Sequence, residues 1–521
     1  MAILPYILSL HNDFVSDDIG GILKNPGIGQ FSSVISQPLT FLQNLIYFVT
    51  YHLFGLSPFF FRLPSVLFHT GSVIMLFFAV SMLLGLKIGF FTALLFAVHP
   101  LNSEAILWIS AASYPRYAFF VLASFFTYLL SLAGKTKPKK KIWYSLSFLM
   151  FLFGLFSSEK AIIVPLVLFF FHLADRSVKT HIKNLLPFFI GSFIFAIPNM
   201  FQIGGRITDT HLEYGNETQT FINPLIQIPV AFQSYLTLLF FPDRLDFFHS
   251  NLVFSPISII VFVSFAFFLI IAFIKNKTIF FWLSLFVVAL LPTLIPLRVA
   301  STVAERYVYI GTAGIVCTVV FIVLKIAQKW HIQKYLIGLL IFVTFALTFR
   351  TLIRAADWKN EDTLAVAGAR TSPNTISTHM NLANMYARAG RIEDAIAETH
   401  RALSIEPSYA KGLNNLGYLY AQIGQFDNAM RAYSAALKIN PTMWEVHDNL
   451  AGLYTAQKKY DLAINHEQLA IRYSNNNIDL YLHLGIIYMQ MGENEKAKEA
   501  FETVLKFDPK NEDAKQYLLQ L

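Results

Sequence analysis

Apolar runs of membrane-crossing length recur through the first two-thirds of the chain and then stop. A crossing needs about 20 consecutive apolar residues. Runs of that kind lie near residues 61–84, 88–109, 116–133, 142–156, 160–174, 184–201, 255–274, 278–297, 307–325 and 335–352. Residues 1–11 read as the outer half of a first span, either a truncated start or a segment packed against its neighbours. Residues 226–241 are apolar but poorly placed for a crossing and read as a re-entrant or surface helix pair. The pattern predicts an all-α chain: a polytopic membrane domain over 1–354, followed by a second domain over 355–521.

The second domain has a different period. Leu382, Leu416, Leu450 and Leu484 are 34 residues apart, as are Tyr386, Tyr420, Tyr454 and Tyr488, and Ala395, Ala429, Ala463 and Ala497. Pro373, Pro407, Pro441 and Pro509 keep the register, with Asn475 in the place of one Pro. This is the tetratricopeptide period. Four full repeats run from about 376 to 509, a partial repeat precedes them and a capping helix follows over 511–521. Ala allows two helices to cross closely, Leu and Tyr fill the shared core, and Pro ends the second helix. Asn381, Asn415 and Asn449 also recur at 34, with His483 in the fourth place. A column of amides bordering the concave face can bond an extended peptide backbone whatever its side chains. It resembles the asparagine ladder of the protein O-GlcNAc transferase superhelix; the alternative is local packing or a bond to a neighbouring helix.

Composition agrees with the division. Of the 521 residues 55% are hydrophobic, only 14% are charged, and mean hydropathy is +0.52; a soluble domain carries about a quarter charged residues. Twelve of the 32 acidic residues lie in 1–354 and the other twenty follow. The net charge of +8 needs no nucleic acid, because cytoplasmic loops of membrane proteins collect Lys and Arg. "GKTKPKKKI", "DRSVKTHIK", "KNK" at 275–277 and "KIAQKWHIQK" are the basic loops. Placing all four in the cytoplasm gives eleven spans, an inner N-terminus and an extracytoplasmic repeat domain. Eleven of the twelve acidic residues then face outward, Asp175 excepted. The single Cys317 leaves the redox compartment unread, and "MAILPYILSL" lacks the basic region and cleavage site of a signal peptide. Few Cys with many Phe, Ile and Lys favour a bacterial inner membrane over an endoplasmic reticulum.

Polar groups at a bilayer edge are functional candidates by default. Four clusters fall on the outer side: Asp13, Asp17 and Asp18; His99, Glu104 and Trp108 in "HPLNSEAILWIS"; Glu159 and Lys160 in "SSEKA"; and Arg298, Glu305, Arg306 and Tyr307 in "RVASTVAERYVYI". Acids and bases together suit a reaction in which a hydroxyl loses a proton to a carboxylate while Arg holds a departing phosphate. Structural readings compete. Asp17 and Asp18 could cap a helix beginning at Ile19, His99 could cap a helix end, and Arg306 could pair with Glu305. Asp209, Glu213 and Glu217 read as a flexible acidic loop, and "NET" at Asn216 fits an N-glycan acceptor only in a eukaryotic secretory membrane. There is no Cys/His cluster, H-E-x-x-H or P-loop. No metal is assigned; one at the acid cluster stays open but unsupported by spacing.

At these residues a resemblance becomes specific. The long first loop with Asp17-Asp18 and then "NP", followed by "PLTFLQNLIYFVTYHLFGLSP", "HPLNSEAILWIS", "SEKAIIVPLVL" and "AERYVYI", resembles the GT-C glycosyltransferases. Within them it is most similar to the transmembrane-and-tetratricopeptide O-mannosyltransferase-like family, over nearly the whole chain and in the same order. The resemblance implies an inverting transfer from a polyprenyl-phosphate sugar, without a nucleotide sugar. It puts the paired acids on Asp17 and Asp18, the next acid on Glu104, supporting positions on Glu159, Glu305 and His99, and donor-phosphate ligands on Arg306 and Arg116. Two motifs depart from the family: "WISAASYPR" has Ala112 and Tyr114 where Arg and Asp are usual, and Ser158-Glu159 replaces Lys-Glu.

The expected function is transfer of a sugar from a lipid-linked donor to a hydroxyl of a protein or glycan, with Asn381, Asn415, Asn449 and His483 recruiting the acceptor. Two alternatives stand beside it: a non-catalytic membrane-anchored scaffold, and an oligosaccharide ligase or oligosaccharyltransferase moving a preassembled glycan from a lipid diphosphate. The expected partners are the bilayer, the lipid-linked donor and a polypeptide acceptor.

Overall fold

The computed structural model describes residues 2–25, 27–36, 40–214, 223–243, 245–246, 249, 252–294, 302–474 and 477–521, with side chains left aside over 198–214. Arg298, Asn216, Glu217 and Asn475, and the side chains of Asp209 and Glu213, lie outside the described residues. All regular elements among the described residues are helical. The chain divides into two compact units, one ending at Pro373 and the other running from Asn374 to Leu521.

In the first unit six helices among the described residues are long and apolar enough to cross a membrane: Pro58–Leu84, Ile109–Ala133, Val178–Ile197, Pro256–Lys275, Glu305–Lys329 and Gln333–Asp357. A bent pair, Leu86–Val98 with Pro100–Leu107, makes a seventh if it counts as one span. The eleven crossings expected from hydropathy include runs that do not form single long helices. Run 160–174 divides into a turn over Glu159–Ile163 and a helix Val164–Ala174 that has Pro165 in its first turn. Run 278–297 gives the helix Lys277–Leu290 and then a turn with Pro292. Run 88–109 breaks at His99-Pro100 by 55°. Proline lacks an N–H and restricts the residue before it to extended backbone, which accounts for the bend at His99-Pro100.

Residues 8–11 form one 3-10 turn, not half of a span. The segment is packed in place: Tyr6 is fully buried, and the Arg62 guanidinium donates to the carbonyls of Ser9 and Leu10. The boundary drawn from charge at 354/355 falls within the helix Gln333–Asp357. Beyond it, the helix Glu361–Thr371, capped by Asn360 and Thr363, stays with the first unit, where Trp358 and Leu364 enter the main apolar core. Close helix crossings use glycine: a Cβ on Gly314 would stand 2.3 Å from the Trp282 carbonyl.

The second unit stacks four helical hairpins. They are Ile376–Arg388 with Ile392–Ile405, Ala410–Gln422 with Phe426–Ile439, Trp444–Ala456 with Tyr460–Tyr473, and Ile478–Met491 with Asn494–Phe507. Glu512–Leu518 follows as a last helix. The inner turns fall at one register position with positive φ, occupied by Gly390, Gly424 and Gly492 and, in the third hairpin, by Lys458 at φ 58°. The core repeats too. A Cβ on Gly417 would lie 2.5 Å from the Tyr433 ring, and one on Gly485 2.4 Å from Phe501. An aromatic in the second helix thus seats directly on backbone in the first.

Candidate active site where three loops meet

The bend after Val98 creates the centre of the site. His99 is buried and accepts from the Leu101 N–H, 3.3 Å, while its Nε2 meets the Leu239 carbonyl at 3.1 Å. The imidazole therefore fixes the bend and ties it to the helix Pro224–Phe240. Past the bend, a buried helix of five residues, Ser103–Leu107, carries Glu104.

Glu104 is fully buried and accepts from the Arg306 backbone N–H at 2.8 Å and from the Arg306 guanidinium. Arg306 thus pairs with Glu104, 202 residues away, rather than with its neighbour Glu305. The guanidinium also lies 5.0 Å from the ring centres of Trp108 and Tyr307. Tyr307 stacks on Tyr114 at 6.1 Å, and Lys160, paired with Glu159 at 3.0 Å, sits 4.8 Å above the Tyr114 ring. Two cations, Arg306 and Lys160, therefore flank one pair of aromatic rings. Both keep partial access to solvent, 15% and 18%.

Glu305 belongs to a second buried pair. Its carboxylate accepts from Arg354 at 3.1 Å, Arg354 also reaches Asp357 at 3.5 Å, and His249 Nε2 stands 3.6 Å from Glu305. Behind this late loop the Tyr235 hydroxyl accepts from the Ala304 N–H. The apolar segment 226–241 thus backs the site, through Tyr235 on one loop and Leu239 on another.

The first loop joins the same centre. Asp18 is fully buried and accepts from both the backbone and the hydroxyl of Ser110, at 2.7 and 2.5 Å. Burial pushes its carboxyl up to about 6, opposed by the Ser110 hydrogen bonds and by Arg62. It stands before the short turn Ile19–Leu23 without capping it through its side chain. Asp13 and Asp17 are both exposed. Ser110 follows Trp108 by two residues, so segment 104–110 receives the first loop through Asp18 and the late loop through Arg306.

Arg116 lies on a different side of this arrangement. It is buried, with Nε donating to Ser157 at 2.7 Å and Nη2 to Gln43 at 3.1 Å. Tyr47, next to Gln43, donates to the Ile109 carbonyl at 2.9 Å. The structure thus brings Glu104 and Arg306 into direct contact and Asp18 onto Ser110 two residues past Trp108, and gives His99, Glu305 and Arg116 bonds that hold loops.

Sequence reasoning passed over Arg62 and Ser110. Arg62 is fully buried and donates to the carbonyls of Leu107, Asn12 and Asp13 at 2.7, 2.7 and 2.9 Å. Its signal was present: an arginine inside a 27-residue apolar helix is costly unless it is satisfied. Ser110 carries no such mark, because a serine between two apolar stretches is ordinary.

In the repeats the ladder positions bond between hairpins. Asn449 donates to Asn414 at 2.9 Å, and His483 meets Asp448 at 2.8 Å. Asn381 and Asn415 are half-buried on the first helices of their own hairpins.

The tetratricopeptide repeat family matches residues 410–443 and, through a second repeat model, 454–521. The C-terminal unit is a tetratricopeptide array. Among solved structures, the crystal structure of MamA shares 22% identity over 29% of this chain and 90% of its own, TM-score 0.26. A thermophilic TPR protein of Thermus thermophilus shares 17% over 31% of this chain and 89% of its own, TM-score 0.29. Over most of its length the chain is similar to a protein O-mannosyl-transferase of Caenorhabditis elegans, 23% identical across 78% of this chain and 62% of the relative. A protein O-mannosyl-transferase of Homo sapiens matches at 28% identity over 23% of this chain and 14% of its own length. The chain thus spans under two-thirds of either curated relative. It is a membrane protein with a tetratricopeptide array, similar in sequence to O-mannosyl-transferases.

Proposed function

We propose that this protein is a glycosyltransferase that moves a sugar, mannose by its relatives' names, from a polyprenyl-phosphate donor to a hydroxyl of a polypeptide. The observation that carries the reading is the meeting of three loops on segment 104–110, which sets the exposed Asp17 beside Asp18 on one flank and the Arg306–Lys160 cation pair on the other. Asp17 acts as the base that takes the acceptor proton. Asp18 spends its carboxylate on Ser110 and positions the loop. Arg306, oriented by Glu104, and Lys160 receive the donor phosphate as the glycosidic bond breaks. The array holds the acceptor outside the membrane, with Asn381 and Asn415 against its backbone. The test is transfer from a polyprenyl-phosphate sugar to a peptide by purified protein in lipid. Asp17→Asn is expected to lower transfer by about 10²–10⁴-fold, the range of a lost general base, with thermal unfolding unchanged. Full transfer by that variant rejects Asp17 as the base. Absence of transfer from the wild type with any polyprenyl-phosphate sugar rejects the enzyme.

A further inference from the structure

One buried register position of the array is Thr399 in the first hairpin, an aromatic in the second and fourth, and a carboxylic acid in the third. The position filled by Tyr433 in the second hairpin and Phe501 in the fourth, both buried, is Glu467 in the third. Its partner in the first helix changes in step: Gly417 and Gly485 make room for the rings, while the third hairpin has Ala451. Glu467 is as buried as those aromatics, and its carboxyl faces the Asp448 carboxylate and, at 4.0 Å, the His483 ring. Such a group costs several kcal/mol as an isolated charge and is kept when something pairs with it. Burial and the neighbouring Asp448 push its carboxyl up to about 9.

What faces it is a set of metal-ligand atoms. Oxygens of Asp448 and Glu467 and a ring nitrogen of His483 all lie within 4.8 Å of one another. His483 Nδ1 is 2.8 Å from Asp448 and 4.0 Å from Glu467. Both separations fall within the roughly 4 Å that two ligand bonds of about 2.0–2.2 Å can bridge. Glu467 closes the inner side, while Asp448 and His483 open to solvent. Asp448 and Glu467 come from the two helices of the third hairpin and His483 from the first helix of the fourth.

We infer that Asp448, Glu467 and His483 form a binding site for a divalent transition cation of the zinc class, joining the third repeat to the fourth. One imidazole and two carboxylates suit Zn²⁺ better than Mg²⁺ or Ca²⁺, which favour all-oxygen shells. Three protein ligands leave a further position for water or for a side chain of a bound polypeptide. The inference uses no residue of the membrane unit, and it assigns His483 to the cation rather than to the acceptor backbone.

The test uses the full-length protein in detergent micelles, without an affinity tag, stripped by chelator and titrated with Zn²⁺ alone. Binding of one equivalent with a rise in the unfolding temperature of the array is expected, and Mg²⁺ at the same concentration is expected to give neither. Co²⁺ in its place is expected to give visible ligand-field bands. His483→Ala alters an exposed side chain and leaves folding intact. It and Glu467→Gln are each expected to weaken Zn²⁺ binding by about tenfold or more, since even outer-shell changes reach that size. No bound equivalent in the wild type overturns the proposal, and so does binding that both variants retain in full.

Discussion

The membrane unit and the array each bury carboxylates, and what faces them differs from one to the next. In the membrane unit the buried carboxylates Glu104 and Glu305 each face an arginine, Arg306 and Arg354, brought from a distant stretch of chain or from a neighbouring helix. In the array Glu398 likewise pairs with Arg401, whereas among the described residues Glu467 has no arginine partner and stands where the second and fourth hairpins place an aromatic. In the first case charge builds the fold: cutting one partner leaves the other stranded in a low-dielectric interior. In the second, neighbouring hairpins show what the fold would have used instead. A buried charge is read as architecture where its partner is a protein cation, and as a site where the register shows it was not needed.

Four experiments press on that contrast. The largest effect is expected from Arg306→Ala, which strands Glu104. It should destabilise the membrane unit by about 3–5 kcal/mol, measured by thermal unfolding in micelles, and Glu104→Gln combined with Arg306→Ala should recover part of the loss. A small loss for Arg306→Ala would remove the architectural role of the pair.

Asp18 gives the next effect, through pH. Its carboxyl is raised to about 6 in the folded protein from an unfolded value near 3.9, so the folded state holds the proton more tightly. The contribution is fully present below about pH 4 and is lost as pH rises through about 6, a change of roughly 3 kcal/mol. Relative to Asp18→Asn, which cannot titrate, the wild type should lose stability by that amount between about pH 4 and pH 7. A flat difference in chemical unfolding would show that Asp18 is no more costly to ionise here than in water.

In the array, Ala451→Gly with Glu467→Phe restores the pairing seen at Gly485 and Phe501. The double variant should gain about 2 kcal/mol, the value of a buried aromatic, while Glu467→Phe alone should gain less because its ring meets the Ala451 methyl. The smallest effect is at Lys458, which adopts φ 58° where the other hairpins have Gly. Lys458→Gly should stabilise by up to about 1 kcal/mol, read from the same denaturant curves.

Much of the architecture was legible in the sequence. The 34-residue period placed the hairpins, their turns and their small core positions, because each repeat solves one packing problem in one register. Hydropathy found the membrane unit, but a window average does not register the 55° bend at Pro100. The motifs located Glu104, Arg306, Asp17 and Asp18, yet not their bonds. Nothing in one dimension pairs Glu104 with Arg306 rather than Glu305 with Arg306, or ends the Asp18 carboxylate on Ser110. The Asp448, Glu467 and His483 cluster was hidden for a related reason. Its members are 19 and 16 residues apart, a spacing with no meaning until two hairpins stack.

Arg62 has a temporal consequence. Its guanidinium holds the carbonyls of residues 9–13 against Leu107, and Asn12 and Asp13 in turn bond backbone at Ala355, Trp358 and Lys359. The first loop leaves the ribosome long before the residues it docks on. It must wait, through the insertion of the intervening membrane helices, until residue 359 has emerged. A nascent chain stalled short of that point would carry Asp17 on an undocked tether, so the proposed base comes into position only once the membrane unit is complete.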